Sequence, residues 1–320
     1  MYVTQSGSGP TVLFVHGQPG LGADFDAVAA FLVDDHRVIA PDRPGYGRSG
    51  DQALPMVENA RLLAQLLEER STAPAVVVGH SYGGGVAVLL AAARPDLVSG
   101  LVLVGSVGRA DSVNAFDQVL AAPLLGEAVS AVGLVALGHV LPRLRRIATL
   151  SEMGVFERLR TTLPDSGYAE VAAGRGRQIW RSFVFEQRSL IREISDVEAS
   201  LRAIVAPTVV ISGEWDVVVP PSVAKSIAAL VPGAELLILD RMGHFVPRDA
   251  PEVVASAVRR TEALSSVGRS GELSVEEGAV KTELAARRSK TSELGEEAGD
   301  GHCADEVDLE EDQANRRAGA

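Results

Sequence analysis

The sequence predicts an α/β fold: a doubly wound, mostly parallel sheet with a helical lid inserted between two strands, followed by a disordered C-terminal tail. Three observations lead to this prediction. Short, continuously apolar runs alternate with helical patterns, as expected for strands buried on both faces. Between residues 108 and 200 the alternation stops and the pattern is helical with breaks. After Ser265, large apolar residues become sparse and Glu, Gly, Ser and Ala dominate.

Composition sets the broad class of the protein. Of 320 residues, 46% are hydrophobic, which suffices for a sizeable core. The net charge is −12, but residues 265–320 hold 14 acids and 7 bases, so the tail carries −7 and the rest −5. Nothing basic indicates a nucleic-acid partner. Cys303 is the sole cysteine, so no disulfide is expected, and the N-terminus lacks signal-peptide features, which predicts a cytoplasmic protein.

Apolar runs bounded by Gly and Pro predict the strands. They are Thr11–Val15, Val38–Ala40, Val76–Val78, Leu101–Gly105, Thr208–Gly213 and Leu236–Leu239. Apolar residues at helical spacing predict the helices that pack on the sheet. These are Glu58–Arg70, Val86–Ala93, Ser222–Leu230 and Pro251–Ala263.

Two loops follow the first two strands at the carboxyl edge of the sheet, where such loops converge. The loop at residues 16–20 can turn the backbone N–H of Gln18 toward that edge, whereas the Gln18 side chain can equally face solvent. His16 is interpreted as a strand-end histidine bonded to loop backbone. In the second loop, Asp42 and Arg43 are expected to fix the loop rather than contact substrate.

The stretch around Ser81 combines a β-branched strand, a sharp turn and an Ala-rich and Leu-rich helix. A turn this tight brings the helix close to the strand, so a Cβ at Gly79 or Gly83 would collide with its surroundings. The turn holds the Ser81 hydroxyl at the strand end and points the first helical N–H groups at whatever that hydroxyl attacks. The five residues match the Gly-x-Ser-x-Gly nucleophile elbow.

The helical stretch between residues 108 and 200 would lie over the carboxyl edge as a lid. Within it, Val119–Leu141 is strongly apolar, but Glu127, Pro123 and internal glycines argue against a membrane span. A lid helix with its apolar side toward the pocket is the better interpretation. Three aromatic residues can line that pocket or pack the lid, with equal weight: Trp180, Phe183 and Phe185.

A serine nucleophile needs a base to remove its proton, and histidine suits that task near neutral pH. His244, after the last strand, is the remaining candidate among six histidines. The others are placed elsewhere: His302 in the tail, His36 at the amino end of a strand, His139 in the lid, His16 in the first loop, and His80 beside the serine but directed away by the turn. Asp216 is the favoured carboxylate partner, with Glu214 and Asp111 as rivals.

Four separated pieces resemble the α/β-hydrolase superfamily, of the kind with a serine nucleophile and a helical cap. They are residues 16–20, residues 42–49, the elbow at residues 79–83, and Gly243-His244. The resemblance implies a core in two parts, 1–106 and 201–264, around a cap at 107–200 inserted after the sixth-strand position, with 265–320 as the tail.

The same resemblance implies the chemistry of the site. It implies attack by Ser81 on a carbonyl, with His244 as base and then acid and Asp216 as its partner. The backbone N–H groups of Gln18 and Tyr82 would form the oxyanion hole. It implies a small-molecule substrate and no metal or organic cofactor, and the sequence indicates neither a nucleic-acid partner nor a membrane span.

Three features of the sequence qualify what the resemblance implies. Family members commonly have a strand or two before the His-Gly loop, and the short N-terminus suggests that the first strand is missing here, leaving an exposed sheet edge. The serine nucleophile argues against the activity of haloalkane dehalogenases and epoxide hydrolases. Proline iminopeptidases are also weaker neighbours, because their loop and elbow differ from residues 16–20 and 79–83.

Several functions are compatible with this pattern. The first hypothesis is hydrolysis of an ester or related acyl bond of a small, largely apolar molecule through an acyl-enzyme. A carbon–carbon bond hydrolase and a cofactor-free perhydrolase or haloperoxidase use the same triad. A non-catalytic ligand receptor on this scaffold is disfavoured by an intact triad.

Overall fold

The computed structural model of this chain describes residues 1–50, 52–149, 161 and 176–266. Within this part, seven strands form one sheet in the order β1-β3-β2-β4-β5-β6-β7. The strands are β1 (Val3–Ser6), β2 (Thr11–Val15), β3 (Arg37–Pro41), β4 (Ala75–His80), β5 (Val98–Val104), β6 (Thr208–Gly213) and β7 (Glu235–Leu239). β1 pairs with β3 in the antiparallel sense, and the other neighbouring strands pair in parallel. Parallel neighbours require crossovers, which the helices supply.

The described helices belong to two groups, those of the main body and those in the segment between β5 and β6 where the lid is predicted. Those of the main body are α1 (Asp26–Ala29), α2 (Met56–Glu69), α3 (Tyr82–Ala93), α7 (Pro221–Leu230), α8 (Val246–Asp249) and α9 (residues 251–266). Three further helices lie between β5 and β6, namely α4 (Ala115–Ala121), α5 (Leu125–Thr149) and α6 (Gly176–Ser200). These three are the described part of the predicted lid.

The core has two layers because successive side chains of a strand point to opposite faces. On β2, Leu13 and Val15 pack into the layer that includes α2, α3, α6 and α7. Val12 and Phe14 pack into the other layer, which includes α1 and α9. All five residues of β2 are buried. The continuous apolar run therefore reads as a strand covered on both faces, as predicted.

The six predicted strands are all present, and Thr11–Val15 and Thr208–Gly213 have the predicted bounds. β5 begins earlier than predicted, at Val98. Ser99 and Gly100 interrupt its apolar run, and the register with β4 shifts there, between Ala75 and Val76. Pattern reasoning missed that end because an interrupted run does not look like a buried strand.

The expectation of a missing first strand is wrong in one respect, since β1 precedes the His-Gly loop and forms the edge of the sheet. Its residues are mostly exposed, and Val3 lies opposite Pro41. A short polar edge strand produces no buried apolar run and so escapes pattern reasoning. Counted with two strands ahead of Thr11–Val15, as some family members have, β5 occupies the sixth position, and the helices of the predicted lid follow it.

The apolar run Val119–Leu141 is not one inward-facing lid helix as predicted. It is divided between α4 and α5, which end and begin around Pro123 and Leu124, and Leu124 has a positive φ of 64°. Val132 is 71% exposed, so part of the apolar surface faces outward. No single described helix is long and apolar enough to cross a membrane; residues 115–121 and 125–134 pass that test together, as a pair bent by 101°.

Two sequence predictions fall wholly or partly outside the described residues. The tail was expected from residue 265, but α9 continues to residue 266, and the disorder predicted beyond it concerns residues 267–320. The side chain of His139 and all of His302 also lie outside the described part.

Candidate active site

The elbow between β4 and α3 has the strained geometry that its glycines predict. Ser81 has φ 55° and ψ −123°, which side-chain-bearing residues rarely adopt. A Cβ on Gly79 would lie 2.6 Å from Gly84 Cα, and one on Gly83 would lie 2.2 Å from the carbonyl oxygen of Val15. Both positions therefore require glycine so that the helix can approach the sheet.

Backbone hydrogen bonds hold Ser81 at the carboxyl edge of the sheet. Its N–H donates to the carbonyl oxygen of Val104 at 3.0 Å, and its own carbonyl accepts from the N–H groups of Gly84 and Val107. Ser81 is 8% exposed. The strained turn is thus fastened on both sides, to the end of β5 and to the first turn of α3.

Asp216 and His244 come together from the loops that follow β6 and β7. The N–H of Trp215 donates to the carbonyl oxygen of Met242, which ties the two loops to each other. His244 Nδ1 and Asp216 Oδ2 are 2.8 Å apart, and both side chains are buried. A carboxylate only accepts, so Nδ1 carries the proton and Nε2 is left as the basic nitrogen.

The rival carboxylates predicted for this role lie elsewhere. Glu214 is exposed, and its N–H donates to the carbonyl oxygen of Leu239. Asp111 is also exposed and pairs with Arg109 at 3.4 Å. Of the three candidates, Asp216 is therefore the one hydrogen-bonded to His244.

The three predicted triad residues lie around neighbouring strand ends. A Cβ on Gly105, directly after β5, would be 3.2 Å from both Asp216 Oδ2 and His244 Nδ1. Ser81 is bonded to Val104, the residue before Gly105. Ser81, Asp216 and His244 thus lie at the same edge of the sheet, as the predicted chemistry requires.

His80 was expected to be directed away from the site, and the structure places its ring beside His244. The two ring centroids are 4.7 Å apart, and His80 Nε2 donates to the carbonyl oxygen of His244 at 3.0 Å. Burial and the neighbouring His244 lower the pKa of His80 to about 3, so its ring is neutral. His80 supports the backbone that carries His244, a role that one-dimensional reasoning missed because it spans 164 residues.

His16 and Asp42 have the structural roles predicted for them. His16 Nδ1 donates to the carbonyl oxygen of Gly17 at 2.8 Å, and Nε2 accepts the N–H of Arg43 at 2.8 Å. Burial, followed by the Arg43 charge, holds the pKa of His16 well below its usual value, which keeps the ring neutral. Asp42 accepts the N–H groups of Gly22 and Arg48 and so fixes its loop.

A buried ion pair lies beneath the loop that carries Gln18. Arg43 and Glu186 of α6 form this pair, and both side chains are fully buried. Tyr46 donates its hydroxyl to Glu186 at 2.7 Å. Sequence reasoning expected Arg43 to fix its loop but missed Glu186, because nothing in the helical pattern of the lid distinguishes this acid from the others.

The three aromatic residues of the predicted lid lie on α6, and two of them pack against other lid residues. Trp180 and Phe183 pack against a small apolar cluster formed by Leu134 and Ile179, which joins α5 to α6. These two therefore pack the lid, while Phe185 is half-buried. The residues that the structure describes contain no group of three or more His, Cys, Asp or Glu suited to hold a metal ion.

Known proteins resemble this chain in sequence and in fold. A sequence model of the alpha/beta hydrolase family matches residues 12–257. An uncharacterized protein of Mycobacterium tuberculosis is 31% identical, over 80% of this chain and 76% of that protein. The 2-hydroxymuconate semialdehyde hydrolase of Pseudomonas sp. is 27% identical, over 79% of this chain and 87% of the enzyme. A solved thermophilic esterase from Thermogutta terrifontis superposes with a TM-score of 0.60 at 25% identity, over 82% of this chain and 93% of that one.

Proposed function

Because this chain belongs to the alpha/beta hydrolase family, we propose that it is a serine hydrolase that cleaves an ester or related acyl bond of a small, largely apolar molecule. The observation that carries the proposal is the buried hydrogen bond between His244 Nδ1 and Asp216 Oδ2, at the sheet edge where the elbow presents Ser81. This bond fixes the tautomer that a general base needs.

In the proposed mechanism, the Ser81 hydroxyl oxygen attacks the substrate carbonyl carbon while His244 Nε2 takes the hydroxyl proton. The imidazolium formed is stabilised by the Asp216 carboxylate. His244 then gives the proton to the leaving alkoxide, and an acyl-enzyme remains on Ser81. Water, deprotonated by His244, attacks the acyl carbon. The bond to Ser81 Oγ then breaks, His244 gives its proton to that oxygen, and the carboxylic acid leaves.

The negative charge that develops on the carbonyl oxygen needs hydrogen-bond donors. We assign this task to the backbone N–H groups of Gln18 and Tyr82. Gln18 follows Gly17, whose added Cβ would lie 3.0 Å from Ser81 Cβ, and Tyr82 opens α3 directly after Ser81. Each such donor contributes about 3–4 kcal/mol to transition-state stabilisation in acyl transfer.

The acyl-ester assignment is supported by the similarity to the Thermogutta terrifontis esterase. The serine at the elbow argues against haloalkane dehalogenase activity.

Labelling with a fluorophosphonate probe tests the nucleophile. We expect the wild-type protein to be labelled and to hydrolyse p-nitrophenyl esters, and Ser81→Ala to lose both properties. Ser106→Ala is the matched control, because Ser106 is a buried serine whose hydroxyl donates to a backbone carbonyl. Labelling that persists in Ser81→Ala, or an unlabelled wild-type protein, would overturn the proposal.

A carbon–carbon bond hydrolase is the second candidate, and the similarity to the Pseudomonas 2-hydroxymuconate semialdehyde hydrolase favours it. The two functions share the proposed triad and differ in the bond that is cleaved. The comparison of kcat/KM for a p-nitrophenyl ester and for a vinylogous 1,5-diketone acid separates them. A larger value for the diketone would replace the first candidate with the second.

A further inference from the structure

Arg43 makes three hydrogen bonds to the segment that leads to Gln18. Its Nε donates to the carbonyl oxygen of His16 at 2.9 Å, and its Nη2 donates to that of Gly17 at 2.8 Å. The backbone N–H of Arg43 also donates to His16 Nε2. Both carbonyls of the segment are therefore held by one fully buried side chain.

The bond to Gly17 bears directly on the proposed oxyanion hole. The Gly17 carbonyl and the Gln18 N–H belong to one planar trans peptide unit, in which the two groups point in opposite directions. Holding the Gly17 oxygen on one side therefore aims the Gln18 N–H at the other. His16 Nδ1 donates to the same oxygen and reinforces this orientation.

Arg43 also contacts the residue that carries the second proposed donor. Its guanidinium carbon lies 4.9 Å from the centre of the Tyr82 ring and 5.2 Å from that of Tyr46. Planar guanidinium groups stack favourably on aromatic rings. One side chain thus contacts both segments whose N–H groups would bind the oxyanion.

Glu186 of the lid helix α6 holds Arg43 in this place. The two side chains are paired through both guanidinium Nη atoms and both carboxylate oxygens, with Arg43 Nη2 3.3 Å from Glu186 Oε2. Removing both charges from water costs about as much free energy as their attraction provides. A buried ion pair is therefore weak evidence of a contribution to stability. The pair does fix the orientation of the Arg43 guanidinium group, and we take this as its role.

The neighbours of Glu186 on α6 reach the same two segments. Gln187 accepts a hydrogen bond from the side-chain amide of Gln18. Ser189 accepts one from the Tyr82 hydroxyl at 3.3 Å. The face of α6 that holds Arg43 is therefore in contact with both proposed oxyanion residues.

We propose that Arg43 is a positioning residue for the oxyanion hole and that Glu186 makes this positioning depend on the lid helix. The inference rests on the serine hydrolase function proposed above. Arg43 touches no reacting atom: it acts through the peptide unit between Gly17 and Gln18 and through the Tyr82 ring.

The test combines Arg43→Met with Glu186→Gln, which replaces both charges by neutral groups of similar length. We measure kcat and KM for a p-nitrophenyl ester and the inhibition constant of an alkylboronic acid, whose tetrahedral adduct needs the oxyanion donors. We expect kcat and boronic acid affinity to fall together by about 10–100-fold, with KM changed less than about 3-fold, because misplaced donors affect the transition state.

Ser182→Ala is the matched control. Ser182 lies on the same helix and donates its hydroxyl to the carbonyl oxygen of Gly45, in the loop that carries Arg43, and not to His16 or Gly17. We expect a lower melting temperature for this variant, with kcat and boronic acid affinity unchanged. A loss of kcat in the control equal to that in the double variant would reduce Arg43 to a structural role and overturn the inference.

The other possible results also decide whether the inference or the proposed function holds. If the double variant folds and both constants stay within about 3-fold of wild type, the inference is wrong. If it does not fold, Glu186→Asp keeps both charges and draws Arg43 back, and a kcat within about 2-fold of wild type then overturns the inference. An inactive wild-type protein that binds no boronic acid would instead overturn the proposed function.

Discussion

Asp216 uses its two carboxylate oxygens for different partners. Oδ1 accepts the backbone N–H groups of Val218 and Val219, each at 2.9 Å, and Oδ2 faces His244. The two amides prevent the carboxylate from rotating, so the oxygen that faces the imidazole is always the same one. At the residue scale, the orientation of the base is set by the loop that carries its partner.

Asp216→Asn is expected to lower kcat by about 10⁴-fold, the size known for this change in a serine triad. Since Oδ1 must still accept two N–H groups, the new amide nitrogen would face His244 Nδ1 and donate to it. The proton would then move to Nε2, which could no longer act as a base. Ester hydrolysis and thermal unfolding measure this, and we expect little change in melting temperature. An unchanged rate would show that the Asp216 carboxylate is not needed to orient His244.

The elbow shows how one element depends on close approach to another. α3 begins directly after Ser81, and its residue Gly83 lies against the end of β2. A Cβ there would be 2.2 Å from the carbonyl oxygen of Val15 and 2.4 Å from that of His16. Neither backbone oxygen can move without disturbing the loop that carries Gln18.

Gly83→Ala is therefore expected to destabilise the fold by about 1–3 kcal/mol and to lower activity, because overpacking shifts both the helix and the loop. Gly133→Ala is the control: Gly133 lies inside α5, and among the described residues its added Cβ meets no atom within 4 Å. This control should be neutral or stabilised by up to about 1 kcal/mol through helix propensity. Urea unfolding of both variants checks this, and equal stability would contradict it.

At the scale of the whole molecule, His36 joins the start of β3 to the last described helix. Its Nδ1 contacts Asp35 at 2.6 Å, and its Nε2 contacts Glu262 of α9 at 3.0 Å. Burial alone would lower the pKa of His36, but the hydrogen bonds and charges of Glu262 and Asp35 raise it above 6.5. The protonated imidazole therefore stabilises the folded chain.

The sign of this linkage predicts a dependence of stability on pH. The contribution of His36 is fully present below its unfolded pKa of about 6.5 and is lost as the pH rises through its higher folded pKa. His36→Gln should therefore lower the melting temperature by about 1–3 °C at pH 5.5 and by less at pH 9. Scanning calorimetry of both proteins across this range measures the difference. A difference that grows with pH would contradict the assignment.

Much of the fold and of the candidate site could be predicted because its signals are local. A buried strand is a continuous apolar run, as in Thr11–Val15, and the elbow around Ser81 is a contiguous pattern of small residues. The polar edge strand at Val3–Ser6 and the division of the lid helix around Pro123 were missed. In both cases the local pattern is compatible with more than one structure.

The sequence by itself determined the class of fold and the order in which Ser81, Asp216 and His244 appear along the chain. Only the tertiary structure decided which carboxylate meets His244, where the His80 ring lies, and that Glu186 pairs with Arg43 across 143 positions. The physical reason is that a local pattern shows only the spacing of apolar residues, which indicates the type of element and which of its faces is buried. Hydrogen bonds between distant side chains depend on how the lid and loops pack, which no local pattern encodes.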